Sequence, residues 1–259
     1  MAMEFIGQAH IMGQLSFLLP RIYADTDESA NFLLRAASGQ GKTRMAHKIC
    51  RYIAGKDYQF HLGSIDAFSI SYRVHFIDEA HMVKNFEHLY PHLDSGQFVF
   101  VIATNEHTHL PEPVENRCYS LTFTDYTDAE LVAIINTLAM IAYPDTFLEY
   151  LIKSGGRNPR IILSLVKRLN IYFLEEEVPN TIIEFRNLLK ILFGITNGLD
   201  PIAASYLSIL QNLGGTASVA TISGIIRIDE HTLKTRIEPL LLANRLIRIT
   251  KQGRKLWQN

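Results

Sequence analysis

An apolar run, Phe32-Leu33-Leu34, passes through Arg35 into Ala36-Ala37-Ser38-Gly39-Gln40-Gly41-Lys42-Thr43, and a helical pattern carried by Met45, Ala46, Ile49 and Cys50 follows. Strand, small-residue loop and helix in that order constrain the chain to an α/β arrangement with the loop at a helix N-terminus. Backbone N–H groups there form an anion cradle. The loop fits G-x-x-x-x-G-K-[ST] except at its first position, where Ala36 stands for Gly. Ala reaches positive φ less freely than Gly, and taken alone the loop also fits a chance turn. In the phosphate reading, Ser38, Gly39, Gln40 and Gly41 wrap the anion. Lys42 reaches the β- and γ-phosphates, and the Thr43 hydroxyl holds Mg²⁺.

The chain downstream supplies further parts for such a site. A strand is expected at Tyr58–Leu62, and only residues 63–72 separate it from the next. That is short for a crossover, which usually takes at least ~10–12 residues. Val74-His75-Phe76-Ile77 then ends in Asp78-Glu79. At the C-terminal edge of a parallel sheet, the first acid can support the metal ion and the second can polarise an attacking water; a surface turn is the plainer alternative. A third strand, 98–103, ends in Thr104-Asn105. Asn105 would stand beside the acids and orient water or touch the γ-phosphate, though a turn-forming Asn fits the spacing as well. Arg117 precedes the strand 119–123; a lone Arg is ordinarily a solvated surface residue.

Length and composition narrow the classes. With 259 residues the chain exceeds one ordinary core, so two or three domains are expected. Its net charge of −1 excludes a uniformly basic nucleic-acid binder, so any such contact needs a local patch. Cys50 and Cys118 form neither a metal spacing nor a disulfide framework, which suits a reducing interior. The histidines, His107 among them, are scattered, and Pro91 interrupts the pair His88 and His92. No stretch approaches ~18 apolar residues, and the start lacks a signal-peptide pattern, so a cytoplasmic protein without membrane contact is expected.

Residues 4–19 read as a short entry segment and a helix, with Pro20 interrupting it and a polar loop at 25–30. Beyond Thr127 the chain reads as helices: 128–142 with a stripe through Leu131, Ile134, Ile135 and Leu138, then 146–153, a helix opened by Asn158-Pro159-Arg160, and 182–193. The last segment changes rhythm. Helices at 200–213, 219–226 and from Asp229 to about Leu242 precede strands at 246–250 and 255–257, joined by Lys251-Gln252-Gly253-Arg254. Three short helices and a basic hairpin describe a winged helix-turn-helix. Lys251, Arg254 and Lys255 at the tip are the candidate DNA contacts; winged helices also dock proteins.

With these pieces in place the chain resembles the AAA+ ATPases, most specifically the RuvB family of Holliday-junction branch-migration motors. Glu4-Phe5-Ile6-Gly7-Gln8 with His10-Ile11 is similar to that family's opening motif, which lines the adenine pocket. Phe76-Ile77-Asp78-Glu79-Ala80-His81 is similar to its Walker B segment. Gly155-Gly156-Arg157-Asn158-Pro159-Arg160-Ile161 is similar to its sensor 2 region, and Thr250-Lys251-Gln252-Gly253-Arg254 to its wing. The resemblance implies an α/β fold: a P-loop AAA+ core with a parallel sheet at 1–125, a helical lid at 126–197 and a winged helix domain at 198–259. It implies ATP and Mg²⁺ as ligands. Ile6 would face the base, Asp78 the ion, and Glu79 the attacking water. Asn105 would be sensor 1, Arg160 would touch the γ-phosphate, and Arg117 would be the arginine finger acting on the nucleotide of a neighbouring subunit. A finger in trans requires a homo-oligomer, ring or arc.

Three features depart from the RuvB pattern. Ala36-Ala37-Ser38 replaces Gly-Pro-Pro. The segment between the helix after Glu79 and the sensor 1 strand, read as 92–97, leaves no room for the β-hairpin with which RuvB proteins meet their junction-binding partner. The crossover at 63–72 is short. Asn116-Arg117-Cys118 is similar to the finger motif of sliding-clamp loaders, and the compact core looks like a phage or mobile-element version. The expected function is an ATP-hydrolysing oligomeric motor on double-stranded or junction DNA in recombination, repair or replication. A clamp-loader-like switch acting with a clamp, and a nucleotide-dependent DNA-binding adaptor recruiting a replication or recombination factor, are the alternatives.

Overall fold

The apolar run ahead of the phosphate loop is β1 (Asn31–Ala36), the strand around which the first half of the chain is built. The computed structural model describes residues 3–24, 30–65, 68–105 and 109–257. These fall into two units, Met1–Tyr126 and Thr127–Asn259. The first contains α1 (Ala9–Ala24), β1, α2 (Lys42–Ala54), β2 (Tyr58–Leu62), β3 (Val74–Asp78), α3 (Tyr90–Asp94), β4 (Val99–Asn105), α4 (Glu112–Glu115) and β5 (Cys118–Thr122). The five strands are parallel, in the order β2-β3-β4-β1-β5.

Burial on both faces explains why β1, β3 and β4 read as unbroken apolar runs. Alternate residues of β1 face opposite ways. Phe32, Leu34 and Ala36 pack with Leu15, Met45 and Ile49 from α1 and α2. Leu33 joins Ile77, Phe100 and Ile102 beneath Leu89 and Leu93. The sheet is thereby fixed in register, and the loops at its C-terminal edge share one side of the unit.

Several boundaries differ from the sequence reading. The first helix runs through Pro20 to Ala24. A proline inside a helix costs about 3 kcal/mol, but Leu19 and Ile22 continue the apolar stripe and are buried. Burial of one such side chain returns about 1.5–3 kcal/mol, enough to carry the helix on. The polar segment expected at 25–30 lies, apart from Ala30, outside the described residues, as does His107. His92 belongs to α3, so only 95–98 precede β4, and β4 itself extends through Thr104 and Asn105. Among the described residues no strand lies between β3 and β4.

The second unit comprises α5 (Asp128–Asn136), α6 (Asp145–Ser154), α7 (Pro159–Tyr172), α8 (Ile182–Phe193), α9 (Pro201–Asn212), β6 (Thr216–Ala217), α10 (Val219–Ile226), α11 (Glu230–Thr232), α12 (Glu238–Ala243), β7 (Ile247–Thr250) and β8 (Gly253–Leu256). Side-chain caps start many of these helices, with capping boxes at Thr127/Glu130 and Thr181/Glu184. The helix expected over 128–142 stops at Asn136. Asn170 of α7 donates to Leu138 O at 2.7 Å and accepts from Met140 N at 3.2 Å, so these peptide groups are spent on a turn and Leu138 is exposed. Gly156, at φ 56°, lets the turn before α7 lie on α12; a Cβ there would fall 2.6 Å from Leu240 Cδ1.

The wing also departs from expectation. A strand too short to read from sequence, β6, joins the hairpin in the order β6-β8-β7, and the turn is Lys251-Gln252, with Gly253 and Arg254 already in β8. Strand alternation places Arg254 on the same face as Leu256, against the helices, and Lys255 on the other. Arg254 donates from Nε and Nη2 to Glu238 at 2.8 and 3.0 Å, and Tyr206 donates its hydroxyl to the same carboxylate at 2.9 Å. Burial and the Glu238 charge push the Tyr206 phenol up. Arg254, expected at the tip, thus lies within β8, and its charge is paired with Glu238.

Glu238 is buried and Arg254 half-buried, so removing the arginine leaves a buried carboxylate uncompensated. Arg254→Met is expected to destabilise the second unit by about 3–5 kcal/mol in denaturant unfolding. Arg254→Met combined with Glu238→Gln should recover much of that loss. A single-variant loss below ~1 kcal/mol, the range of an exposed pair, would contradict the buried role.

Candidate functional site

The C-terminal edge of the sheet gathers four of the residues singled out in the sequence. β1 ends at Ala36, directly paired with Asn105 at the end of β4. The loop that follows turns at Gly41, which is in the left-handed region at φ 95° and is the N-cap of α2. A Cβ at Gly41 would stand 3.2 Å from the Phe5 ring, so glycine serves both the turn and the close approach of the leading segment. Ser38 is exposed, and Gly39, Gln40 and Gly41 are half-buried. Tyr126 donates its hydroxyl to Gln40 O at 2.9 Å and steadies the loop from outside.

Lys42 is buried, and its ammonium donates to Ala36 O at 2.6 Å and Ala37 O at 3.0 Å. Asn105 Oδ1 accepts from it at 3.5 Å. Next to it, Thr43 Oγ1 donates to Asp78 Oδ2 at 2.8 Å, tying α2 to the end of β3. One cation, one hydroxyl and one carboxylate thus meet at the N-terminus of a 13-residue helix. The helix dipole and open N–H groups favour a phosphate there. Thr43 and Asp78 offer the hard oxygen donors that Mg²⁺ takes.

Glu79 lies just past β3 with left-handed backbone, φ 50° and ψ 44°. For a non-glycine residue this costs on the order of 1–3 kcal/mol, and such outliers gather at functional sites. Its backbone N–H donates to Asp78 Oδ1 at 3.0 Å, and its partly exposed carboxylate stands 3.4 Å from His81 Nδ1. The Glu79 carboxylate thus stands with His81, while Asp78 stays with Thr43. Ile6 is half-buried in the leading segment. Gln8 locks that segment to the far end of β5 through paired bonds with Thr124, at 2.7 and 2.9 Å.

Arg117 is not with these groups. It immediately precedes β5, whose first residue, Cys118, pairs with Asn31 at the start of β1. The length of β1, roughly 16 Å at the usual rise per residue, separates that edge from the phosphate loop. Arg117 donates from Nε to Asp94 at 2.7 Å and from Nη1 to Pro113 O at 2.8 Å. The first of these bonds holds the Asp94 carboxyl below the usual carboxylate range. The Cys118 thiol is pushed up to about 12 by burial and stays protonated. Arg160 is exposed in the first turn of α7, in the second unit.

On the wing, Lys251 is exposed at the turn. Lys255 stands directly opposite Arg248 across the β7–β8 ladder. Like charges so placed repel unless an anion covers them. Arg248 was only one of several basic residues in the sequence; the strand register is what pairs it with Lys255.

Comparison with known proteins finds relatives of both units. The family model of the RuvB C-terminal winged helix domain matches residues 196–259. The Holliday junction branch migration complex subunit RuvB of Mycoplasma genitalium is 26% identical, over 97% of this chain and 92% of that protein. A Thermotoga maritima RuvB variant superposes with a TM-score of 0.78 at 26% identity, covering 98% of this chain and 93% of that one. The chain is RuvB-like along nearly its whole length. The Mycoplasma pneumoniae RuvB subunit is 25% identical over the same shares of the two chains. The likeness therefore spans both units of this RuvB-like chain, not the winged helix alone. No helix among its described residues is long and apolar enough to cross a membrane.

Lys42 is the cation at the centre of the anion cradle. Lys42→Ala is expected to abolish ATP binding, measured by titration calorimetry, while far-ultraviolet circular dichroism stays unchanged. Retained micromolar affinity would show that the nucleotide binds elsewhere.

Proposed function

We propose that this RuvB-like chain is an oligomeric AAA+ motor that hydrolyses ATP on double-stranded or junction DNA, in recombination or repair. The observation that carries this reading is the division of the site between two sheet edges. Lys42, Thr43, Asp78 and Asn105 meet at one edge, and Arg117 stands at the other. That separation from its own phosphate loop supports a role for Arg117 on the nucleotide of another subunit.

The roles follow from position. Main-chain N–H groups of Ser38, Gly39, Gln40 and Gly41 would wrap the phosphates, and Lys42 would exchange its carbonyl partners for phosphate oxygens. Thr43 and Asp78 would hold Mg²⁺, which when bound neutralises charge on the phosphates. Glu79, turned out of the strand, would take the proton of the attacking water, and Asn105 would orient that water. Ile6 would face the base. Arg160, in the lid proposed for 126–197, and Arg117, from the neighbour, would meet the γ-phosphate. The finger contributes on the order of 10³–10⁵ in rate. The winged helix domain, proposed at 198–259, would meet DNA phosphates through Lys251, Lys255 and Arg248, because the paired charges of Arg248 and Lys255 need an anion. The full-length likeness to RuvB does not favour the clamp-loader-like switch or the adaptor. A recombination or replication factor is the class of protein partner this reading implies, and the reducing cytoplasm its setting.

Glu79→Gln is expected to bind ATP with wild-type affinity and to lose hydrolysis by at least ~10²-fold, the scale of general base catalysis. Arg117→Ala should likewise keep affinity and lose rate. Mixing Arg117→Ala with Lys42→Ala subunits should restore part of the activity, since one supplies an intact loop and the other an intact finger. Wild-type turnover by Glu79→Gln, or no recovery on mixing, would overturn the assignment.

A further inference from the structure

Arg117 does not extend loosely from its strand. Its backbone and that of the α3 C-terminus are fastened to one buried amide. Asn31 Nδ2 donates to Leu93 O at 3.0 Å and to Arg117 O at 3.2 Å, and Asn31 Oδ1 accepts from Phe100 N at 3.1 Å. Asp94, the next residue after Leu93, is thereby set beside Arg117. Asp94 Oδ1 takes the Nε–H at 2.7 Å, and Pro113 O takes an Nη1–H at 2.8 Å. The Tyr90 ring lies 5.6 Å from the guanidinium carbon, within cation–π range. Among the described residues Nη2 donates to none, and the nearby Glu115 carboxylate is occupied by Arg35 and by Leu110 N.

We propose that Asp94 is a positioning residue for the arginine finger: it fixes the guanidinium fork of Arg117 so that the Nη2 side is presented to the neighbouring subunit's phosphate. This rests on the reading of Arg117 as the finger. An exposed ion pair contributes little to stability, so folding alone does not account for a side chain held at three points. The fork has five N–H donors in fixed geometry. Spending Nε–H and one Nη1–H on its own chain leaves the outer donors aimed. The rotamers are then chosen before the subunits meet, and less order must be imposed in the transition state. A latch that hides the finger would instead engage the outer donors.

The test is DNA-stimulated ATP hydrolysis by the full chain, with kcat and KM measured separately. Asp94→Ala is expected to lower kcat on the order of tenfold, the scale of a small misplacement of a catalytic group, with KM unchanged. Asp94→Asn, which keeps an acceptor for Nε–H, should retain most of the rate. In an Arg117→Ala background, Asp94→Ala should cause no further loss. An unchanged or raised kcat in Asp94→Ala overturns the proposal, and so does an equal loss in the Arg117→Ala background, which would mark a general structural effect. If Arg117→Ala itself leaves hydrolysis intact, the finger reading fails as well; a loss in Arg117→Ala alone overturns only the role of Asp94.

Discussion

Parallel pairing of β1 with β4 on one side and β5 on the other fixes where every group of this site stands. The register that sets Ala36 against Asn105 brings the Lys42 loop and the Asn105 amide to one edge. The register that sets Asn31 against Cys118 sends Arg117 to the opposite edge. Because side chains alternate along a strand, a slip of one residue would turn Leu33 into the α2 face and Phe32 into the α3 face. The apolar contacts on both faces forbid that slip. Site geometry here is a consequence of core packing.

The two edges also divide the chemistry. One holds groups that attract phosphate and a hard cation, already linked to one another through Thr43 and Asp78. The other holds the guanidinium of Arg117, braced by Asp94 and Asn31 and remote from its own loop. Neither edge is complete by itself. In the proposed mechanism the site is completed when the finger edge of one subunit faces the loop edge of the next, and assembly would then switch hydrolysis on.

Much of this was legible in the sequence. The apolar strands, the loop at Lys42, the acids at Asp78 and Glu79 and the wing all announce themselves by local pattern, because burial on both faces and helix capping leave local signatures. The parts that were not legible are those set by pairing between distant segments. Nothing near Asp94 marks it as a partner of Arg117, since Asn31 brings the two together from a third strand. Arg254 reads as a tip charge until the turn is confined to Lys251-Gln252; period-two alternation from Leu256 then turns it inward to Glu238. Pro20 reads as a break because the propensity of one residue was weighed without the buried Ile22 that follows.

In the proposed mechanism hydrolysis needs a finger from a second subunit. The most direct measurement is ATP turnover per subunit, with DNA present, as protein concentration is lowered through the range where the oligomer dissociates. Turnover per subunit is expected to fall as the assemblies come apart, in step with their mass measured by light scattering. Turnover per subunit that stays constant in a demonstrably monomeric protein would contradict it.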